Sequence, residues 1–401
     1  MGRQDTSHHT SGRPSEQVRR EVWVRSGGRC ALCNEYLLEG PMSGRTVNLG
    51  ELAHIVGRNT GAQSPRGQHP LDPARRDDAD NLMLLCASQH GEIDAPGGLD
   101  VFTVDKLRRL KREHEDRIRH LTSLGPDRAT TVVRMVGRVH GKEVELSRQT
   151  AAAAVLAGDR FPLFLESYTR HGLEIDLRGV PGESSAARVA PRAAAASRAY
   201  YRLAAGLVDD VIEGQLRPGI MRDAVRHVSV FGFARLPLLV YLGSRLDDSV
   251  PTDVYQRHRA DESWVWRNDD DPPVEFTTRV DHDVPAGSEA VVVMNVSGAI
   301  GPQEVPAALA ALRRYEMRPT APTCPDIMRD RGCLQRFAAA LRNFFARLED
   351  EAKGLRRLHV MPAVPMSAAV ALGRAHHPQV HPRLVVYERL AGAYVPTLEV
   401  S

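Results

Sequence analysis

The chain has 401 residues, with 53 Lys and Arg against 50 Asp and Glu, a net charge of +3 and a hydrophobic share of 42%. That length points to two or three domains, and the near balance of charge neither requires nor excludes a nucleic-acid partner. No apolar run reaches 18 residues, which excludes a predicted transmembrane helix, and MGRQDTSHH lacks the apolar core of a secretion signal.

In chain order, residues 1–14 form a polar tail expected to be disordered. Met1-Gly2 and Thr6 fit a loose myristoylation pattern, which we read as chance because Arg3 and Asp5 keep the tail polar. SEQVRREVWVRS (15–26) is a predicted short helix capped by Ser15. GGRCALCN then makes a tight turn suited to presenting two thiolates. VNLGELAHIVG (47–57) is a predicted strand, and residues 58–78 a long irregular loop. ADNLMLLCASQHGEID (79–94) begins apolar and passes into a short helix. TVDKLRRLKREHEDRIRHL (103–121) is an amphipathic helix capped by Thr103 or Asp105.

The texture changes near residue 125. Residues 130–147 are predicted as two short strands and a turn, and 123–150 as a linker. From 151 onward apolar strands (227–233, 289–298, 358–364, 383–389) alternate with helices (192–215, 303–315, 331–353). This alternation predicts an α/β domain with mainly parallel strands. Within it HVSVFGFARLPLLVYLG resembles HVMPAVPMSAAVALG. Leu242-Gly243 matches Leu372-Gly373, Pro251 matches Pro382 and Val254-Tyr255 matches Val386-Tyr387. The shared order predicts a duplication, two α/β halves about a pseudo-twofold axis with a ligand cleft between them.

The five cysteines divide by position. Cys30-x-x-Cys33 supplies two corners of a tetrahedral zinc and Cys86 a third thiolate, and an odd count of this kind fits a reducing, cytoplasmic setting better than a disulfide scaffold. A small loop-rich region needs such a metal to fold, so the zinc is expected to be structural.

CALC, GELAHI and DNLMLLCASQHGEID, in that order and followed by LRRLKREHE, resemble the HNH endonucleases over residues 15–122. The resemblance implies an α+β fold, the ββα-metal hairpin and helix, with its zinc. It implies that His54 is a general base that activates water against a phosphodiester, that Asn81 bonds near the His54 backbone, and that His90 helps hold a catalytic Mg²⁺ with Glu51 as a second ligand. Two positions depart from the family: Ala53 stands where a metal ligand often precedes the base, and Gln89 where Cys or His is the usual fourth zinc ligand. His90 therefore has two open roles, at the catalytic ion or at the zinc. The basic run 106–112 is either a solvated helix face or a grip on the DNA backbone.

Residues 151–401 resemble the SAVED domain, on HVSVFGFARLPLLVYLG, VVVMNVSGAIG and LHVMPAVPMSAAVALG with VHPRLVVYER. This implies two fused CARF-like, Rossmann-related units that bind a cyclic oligonucleotide. Bases need flat apolar partners and phosphates need amides or cations. Trp264, Trp266 and Arg267 in ESWVWRN, Arg235 after a strand, and Ser297-Gly298 at a strand end are the candidate ligand residues, with Ser367 read as a helix cap. HNH followed by SAVED resembles the effectors of bacterial CBASS antiphage defence. The expected function is a DNA endonuclease, activated by a cyclic di- or trinucleotide, that forms homo-oligomers and cuts double-stranded DNA without membrane contact. The rival readings are a modification-dependent HNH restriction endonuclease and a non-cleaving zinc module that binds DNA beside an assembly domain.

Overall fold

The computed structural model describes residues 13–139, 141–163, 173–183, 191–246, 248–267, 272–285, 287–390 and 392–401, without the side chains of 126 and 191–197. Most of the predicted tail, with its Met1-Gly2 motif, lies outside these residues. The chain divides into two compact units, Met1–Gly125 and Pro126–Ser401.

The first unit opens with α1 (Glu16–Arg25), where the Ser15 hydroxyl accepts from the Val18 amide. Gly27 and Gly28 follow at φ of 57° and 68°, and this left-handed pair turns the chain into Cys30. Strands β1 (Gly50–His54) and β2 (Leu82–Cys86) pair antiparallel, with Gly50 opposite Cys86 and His54 opposite Leu82. α2 (Ala87–Asp94) leaves β2 directly, and α3 (Pro96–Val101) and α4 (Val104–Ser123) complete the unit. Thr103, rather than Asp105, caps α4. Val22, Leu37, Ala53, Ile55, Leu82–Leu85, Ile93 and Leu107 form its core. The core is small, and the long β1–β2 crossover is organised by polar groups instead. Arg76, 2% exposed, donates to the carbonyls of Gly57, Asn59, Gly67, His69 and Leu71 at 2.7–3.3 Å. A guanidinium has five N–H donors, and here all five meet backbone oxygen.

The second unit runs from Pro126 and its first strand is β3 (Ala129–Val136), so residues 123–150 are not a linker. β3 is an interior strand, buried along nearly its whole length. Among the described residues of 137–147 there is no second strand, and the isolated bridge there joins Val139 to Lys142. α5 (Arg148–Ala157), β4 (Phe161–Leu163), β5 (Leu173–Asp176), α6 (Pro191–Val211) and, after a π turn, α7 (Arg217–Met221) follow. Then come β6 (Val228–Phe233), α8 (Leu236–Arg245) and β7 (Thr252–Tyr255). Strands β4-β3-β6-β7, with β5 also on β3, make a wholly parallel sheet.

The other sheet holds β8 (Phe276–His282), β9 (Glu289–Asn295), β10 (Arg313–Pro319), β11 (Arg357–Ala363), β12 (Arg383–Leu390) and β13 (Ala393–Val400). α9 (Arg331–Glu351) and α10 (Met366–Ala375) pack with it. Its order is β13-β12-β11-β9-β10-β8; the middle four are parallel and both edges antiparallel. The predicted helix 303–315 is absent: two short 3₁₀ turns precede β10, because Pro302 and Pro306 interrupt the chain and Arg313–Pro319 pairs with two strands.

The repeat is visible as β6–α8–β7 and β11–α10–β12. α8 and α10 cross at the matched glycines. A Cβ added to Gly243 would lie 2.1 Å from the Val370 carbonyl oxygen, and one on Gly373 1.9 Å from that of Val240. The two contacts are reciprocal, which is the local signature of a pseudo-twofold axis.

Candidate functional site

In the first unit the Sγ atoms of Cys30, Cys33 and Cys86 lie within 4.8 Å of one another, and Cys33 and Cys86 are 3.8 Å apart. Thiolates bound at about 2.3 Å on a tetrahedral zinc stand about 3.8 Å apart, so the cluster fits the ion. Burial opposes ionisation of Cys30, but amides of Cys33, Cys86 and Leu32 outweigh it and hold that thiol below its ordinary value. Among the described residues this group comprises three ligands, and His90 is not in it.

His90 stands on α2 with Nδ1 2.7 Å from Glu51 Oε2 of β1 and Nε2 3.5 Å from Asp94. The hydrogen bond to Asp94 chiefly raises the imidazole above its ordinary value, burial opposes it, and Glu51 adds to the rise. Asp94 is also paired with Arg66, whose guanidinium donates to the carbonyls of Ile55, Ile93 and His54. One arginine thus ties the end of β1 to the end of α2.

His54 closes β1, 20% exposed, with Nε2 2.9 Å from Asp77 Oδ1; Arg58 Nη2 sits 3.2 Å from the other Asp77 oxygen. Asn81 brackets the next turn. Its Nδ2 donates to Val56 O at 2.9 Å and Arg76 O at 2.7 Å, and its Oδ1 accepts from Val56 N at 3.0 Å. The structure therefore brings Glu51 to His90, anchors Asn81 on the backbone beside His54, and gives His54 a carboxylate partner. Arg66, Arg76, Asp77 and Asp94 are absent from the sequence reading because each acts across the fold. On the sequence they are unremarkable members of a charged loop or a helix end.

A groove of about 380 Å³ beside this unit is lined by Arg75, Arg108, Lys111 and Arg112 together with Asp78, Asp80 and Glu115. Lys111 is buried and paired with Glu115, so the solvated-face reading of 106–112 does not hold at that position.

In the second unit the candidate ligand residues do not share one set of partners. Arg235, the N-cap of α8, is largely buried; it donates to Glu183 O at 2.6 Å and lies 4.4 Å above the Tyr200 ring. Its Nη1 is 3.9 Å from Glu388 Oε2, which also accepts from the Tyr201 hydroxyl. Glu183 Oε2, the Tyr200 hydroxyl and Arg235 Nη1 have no hydrogen-bond partner among the described residues. These atoms lie where β6 and β12 end, the edge at which doubly wound sheets take ligands.

Trp264 corrects the stacking expectation. It is 1% exposed, packs edge-on against Phe231 at 5.6 Å and donates to Glu145 O, so no base can reach it. The stretch is not a strand either, and Trp264 and Trp266 share no strand face. Trp266 is partly buried beside His258, with a buried indole N–H that meets no acceptor among the described residues. Arg267 already faces Asp261 and Asp326, both at 3.3 Å. Ser297 follows β9 and donates its amide to Ala363 O at 2.8 Å, and the space beside Gly298 is open to 3.9 Å.

Ser367 is not the cap of α10; that position is Pro365. The Gln256 Oε1 accepts from the Ser367 amide at 3.1 Å and its hydroxyl at 2.7 Å. Gln256 and Glu388 each follow the matched Val-Tyr pair of one repeat, and each reaches the N-terminus of the other repeat's helix. That reciprocity was available in the sequence as the next column of the repeat.

Residues 209–400 match the profile of SAVED, the SMODS-associated and fused to various effectors sensor domain. No curated protein matches the chain. Among solved structures it is similar to the Acinetobacter baumannii Cap4 SAVED/CARF-domain containing receptor with the cyclic trinucleotide 3'3'3'-cAAA, at 16% identity and a TM-score of 0.43, over 78% of this chain and 61% of that one. The same receptor with 2'3'3'-cAAA gives 15%, 0.42, 78% and 61%. The Moraxella osloensis Cap4 SAVED/CARF-domain containing receptor gives 14%, 0.40, 83% and 70%. The chain spans about three fifths of the length of the ligand-bound receptors. No helix among the described residues is long and apolar enough to cross a membrane.

Proposed function

We propose that the chain is a cyclic-oligonucleotide-activated, metal-dependent DNA endonuclease of the HNH kind, acting in CBASS antiphage defence. One observation carries the reading. A ββα element places His54 at a strand end, Asn81 on the backbone beside it and His90 on the following helix, next to three clustered thiols, in a chain whose residues 209–400 match a sensor domain.

In this reading His54 takes a proton from water as the water oxygen attacks phosphorus, and the bond to the departing oxygen breaks. Asn81 holds residues 55–56 so that the histidine keeps its place. Glu51 and His90 are the residues to hold Mg²⁺, which when bound offsets charge on the scissile phosphate and leaving oxygen. Cys30, Cys33 and Cys86 hold a structural zinc, whose binding supplies folding free energy to a small core. The sensor ligand is a cyclic di- or trinucleotide, with Arg235, Tyr200 and Glu183 as first candidates for contact, since the Arg235 Nη1, the Tyr200 hydroxyl and the Glu183 Oε2 have no hydrogen-bond partner among the described residues. Ligand binding then favours association of chains and the cutting-competent state.

The test is plasmid cleavage by the full chain with Mg²⁺ and a panel of cyclic di- and trinucleotides. Cutting that depends on one of them, and vanishes in His54→Ala while ligand binding persists, is the expected result. Cutting that depends instead on modified bases supports the restriction reading, and no cutting with any ligand refutes the nuclease.

A further inference from the structure

We propose that Asp77 is the positioning residue of His54, fixing which ring nitrogen meets water. The inference rests on the nuclease reading above. A neutral imidazole has one N–H and one lone pair, and the carboxylate can only accept. With Nε2 2.9 Å from Asp77 Oδ1, the proton sits on Nε2 and Nδ1 carries the lone pair. The ring is held at its backbone too, since His54 O accepts from Arg66 at 3.3 Å and Ile55 N donates to Asn81 O at 2.8 Å.

The carboxylate itself is anchored. Arg58 takes its second oxygen at 3.2 Å, and Asp77 follows Arg76, the residue that binds five carbonyls of the same crossover. The 22 residues between His54 and Asp77 are thus folded so that one carboxylate returns to one imidazole. In the reaction Nδ1 accepts the proton that water loses as its oxygen bonds to phosphorus. The imidazolium then carries two N–H groups, and Asp77 supplies the opposite charge beside it until the proton passes to solvent. Arg58 keeps the Asp77 carboxylate oriented while the histidine changes state.

The test uses the full chain as wild type, Asp77→Asn, Asp77→Glu and His54→Ala. Three readouts are taken: activated plasmid cleavage, a melting curve, and the His54 tautomer from ¹⁵N-histidine NMR. An Asn amide can donate to Nε2 and turn the ring to the Nδ1–H form; in serine-protease triads the matching change costs about 10⁴-fold in turnover with the geometry intact. Expected are an Nε2–H ring in wild type, an Nδ1–H ring in Asp77→Asn, a loss of turnover on the order of 10²- to 10⁴-fold with DNA affinity and melting unchanged, and partial recovery in Asp77→Glu. Should Asp77→Asn fail to fold, Asp77→Ser takes its place. Wild-type cleavage by a folded Asp77→Asn, or the same tautomer in both proteins, overturns the proposal while leaving the nuclease intact. Activity that survives in His54→Ala overturns both. If the wild type cuts nothing, the nuclease reading falls, and an Nδ1–H ring in wild type then removes the Asp77 pairing as well.

Discussion

Replacing Gly373 by alanine should be costly although alanine is the better helix former. The new Cβ would lie 1.9 Å from Val240 O, 2.7 Å from Ser244 N and 2.9 Å from Gly243 Cα. All three are backbone atoms of α8, so no rotamer change relieves them and the helices must part by more than 1 Å. Overpacking of this sort costs about 1–3 kcal/mol, sometimes more, and a gap of 0.5–1 Å forfeits about a quarter to a half of each dispersion well at the interface. The helix-propensity gain returns about 1 kcal/mol. With backbone on every side the overpacking term falls at its upper end, and less the propensity gain it leaves a net loss of about 2 kcal/mol, a fall of about 4–8 °C for a large domain. Gly206 on α6 is the control: an added Cβ there meets nothing within 4 Å. Gly206→Ala should raise stability by about 0.5–1 kcal/mol. Calorimetry of both variants decides the matter. If Gly373→Ala melts at or above wild type, the crossing of α8 and α10 is not the close contact described. Gly243→Ala, whose Cβ lies 2.1 Å from Val370 O, should behave in the same way.

Arg76→Ala should destabilise the first unit by about 3–5 kcal/mol, because it strands five carbonyls in a buried site, and Arg76→Lys should not restore it with three donors in place of five; denaturant melts followed at Trp23 read the loss, and wild-type stability refutes the clamp. Trp264→Ala should cost about 3–5 kcal/mol in the second unit through lost core packing, so a melt within about 1 kcal/mol of wild type would return this residue to the ligand site. Burial holds the His376 imidazole down at about 4, against an ordinary 6.5. The unfolded chain takes its proton first, so the stability from His376 is complete above about pH 6.5 and is lost as pH falls toward 4. Between pH 8 and 5 the loss should be about 2 kcal/mol. His376→Gln should remove that part of the pH dependence, and parallel stability–pH curves for the two proteins would refute it.

What the sequence determined by itself is local in origin. The C-x-x-C knuckle with a distant third cysteine, the 3.6-residue period of α4 and the Leu-Gly and Val-Tyr columns of the repeat are each readable within a short window, and the structure contains all of them. What only the tertiary structure decided depends on partners far along the chain. β3 reads by itself as a short strand within a linker, yet it is an interior strand that pairs with β4, β5 and β6. Residues 303–315 have a helical composition, but prolines and two strand neighbours draw their end into β10. Trp264 is a core residue because Phe231 reaches it from β6. Asp77 sits in a charged run like many others and acquires its partner only when Arg76 gathers the crossover. Periodicity and spacing report which face a residue prefers; the bonds of Arg76 and Asp77 and the contact of Trp264 with Phe231 join residues far apart along the chain and are set by its closure.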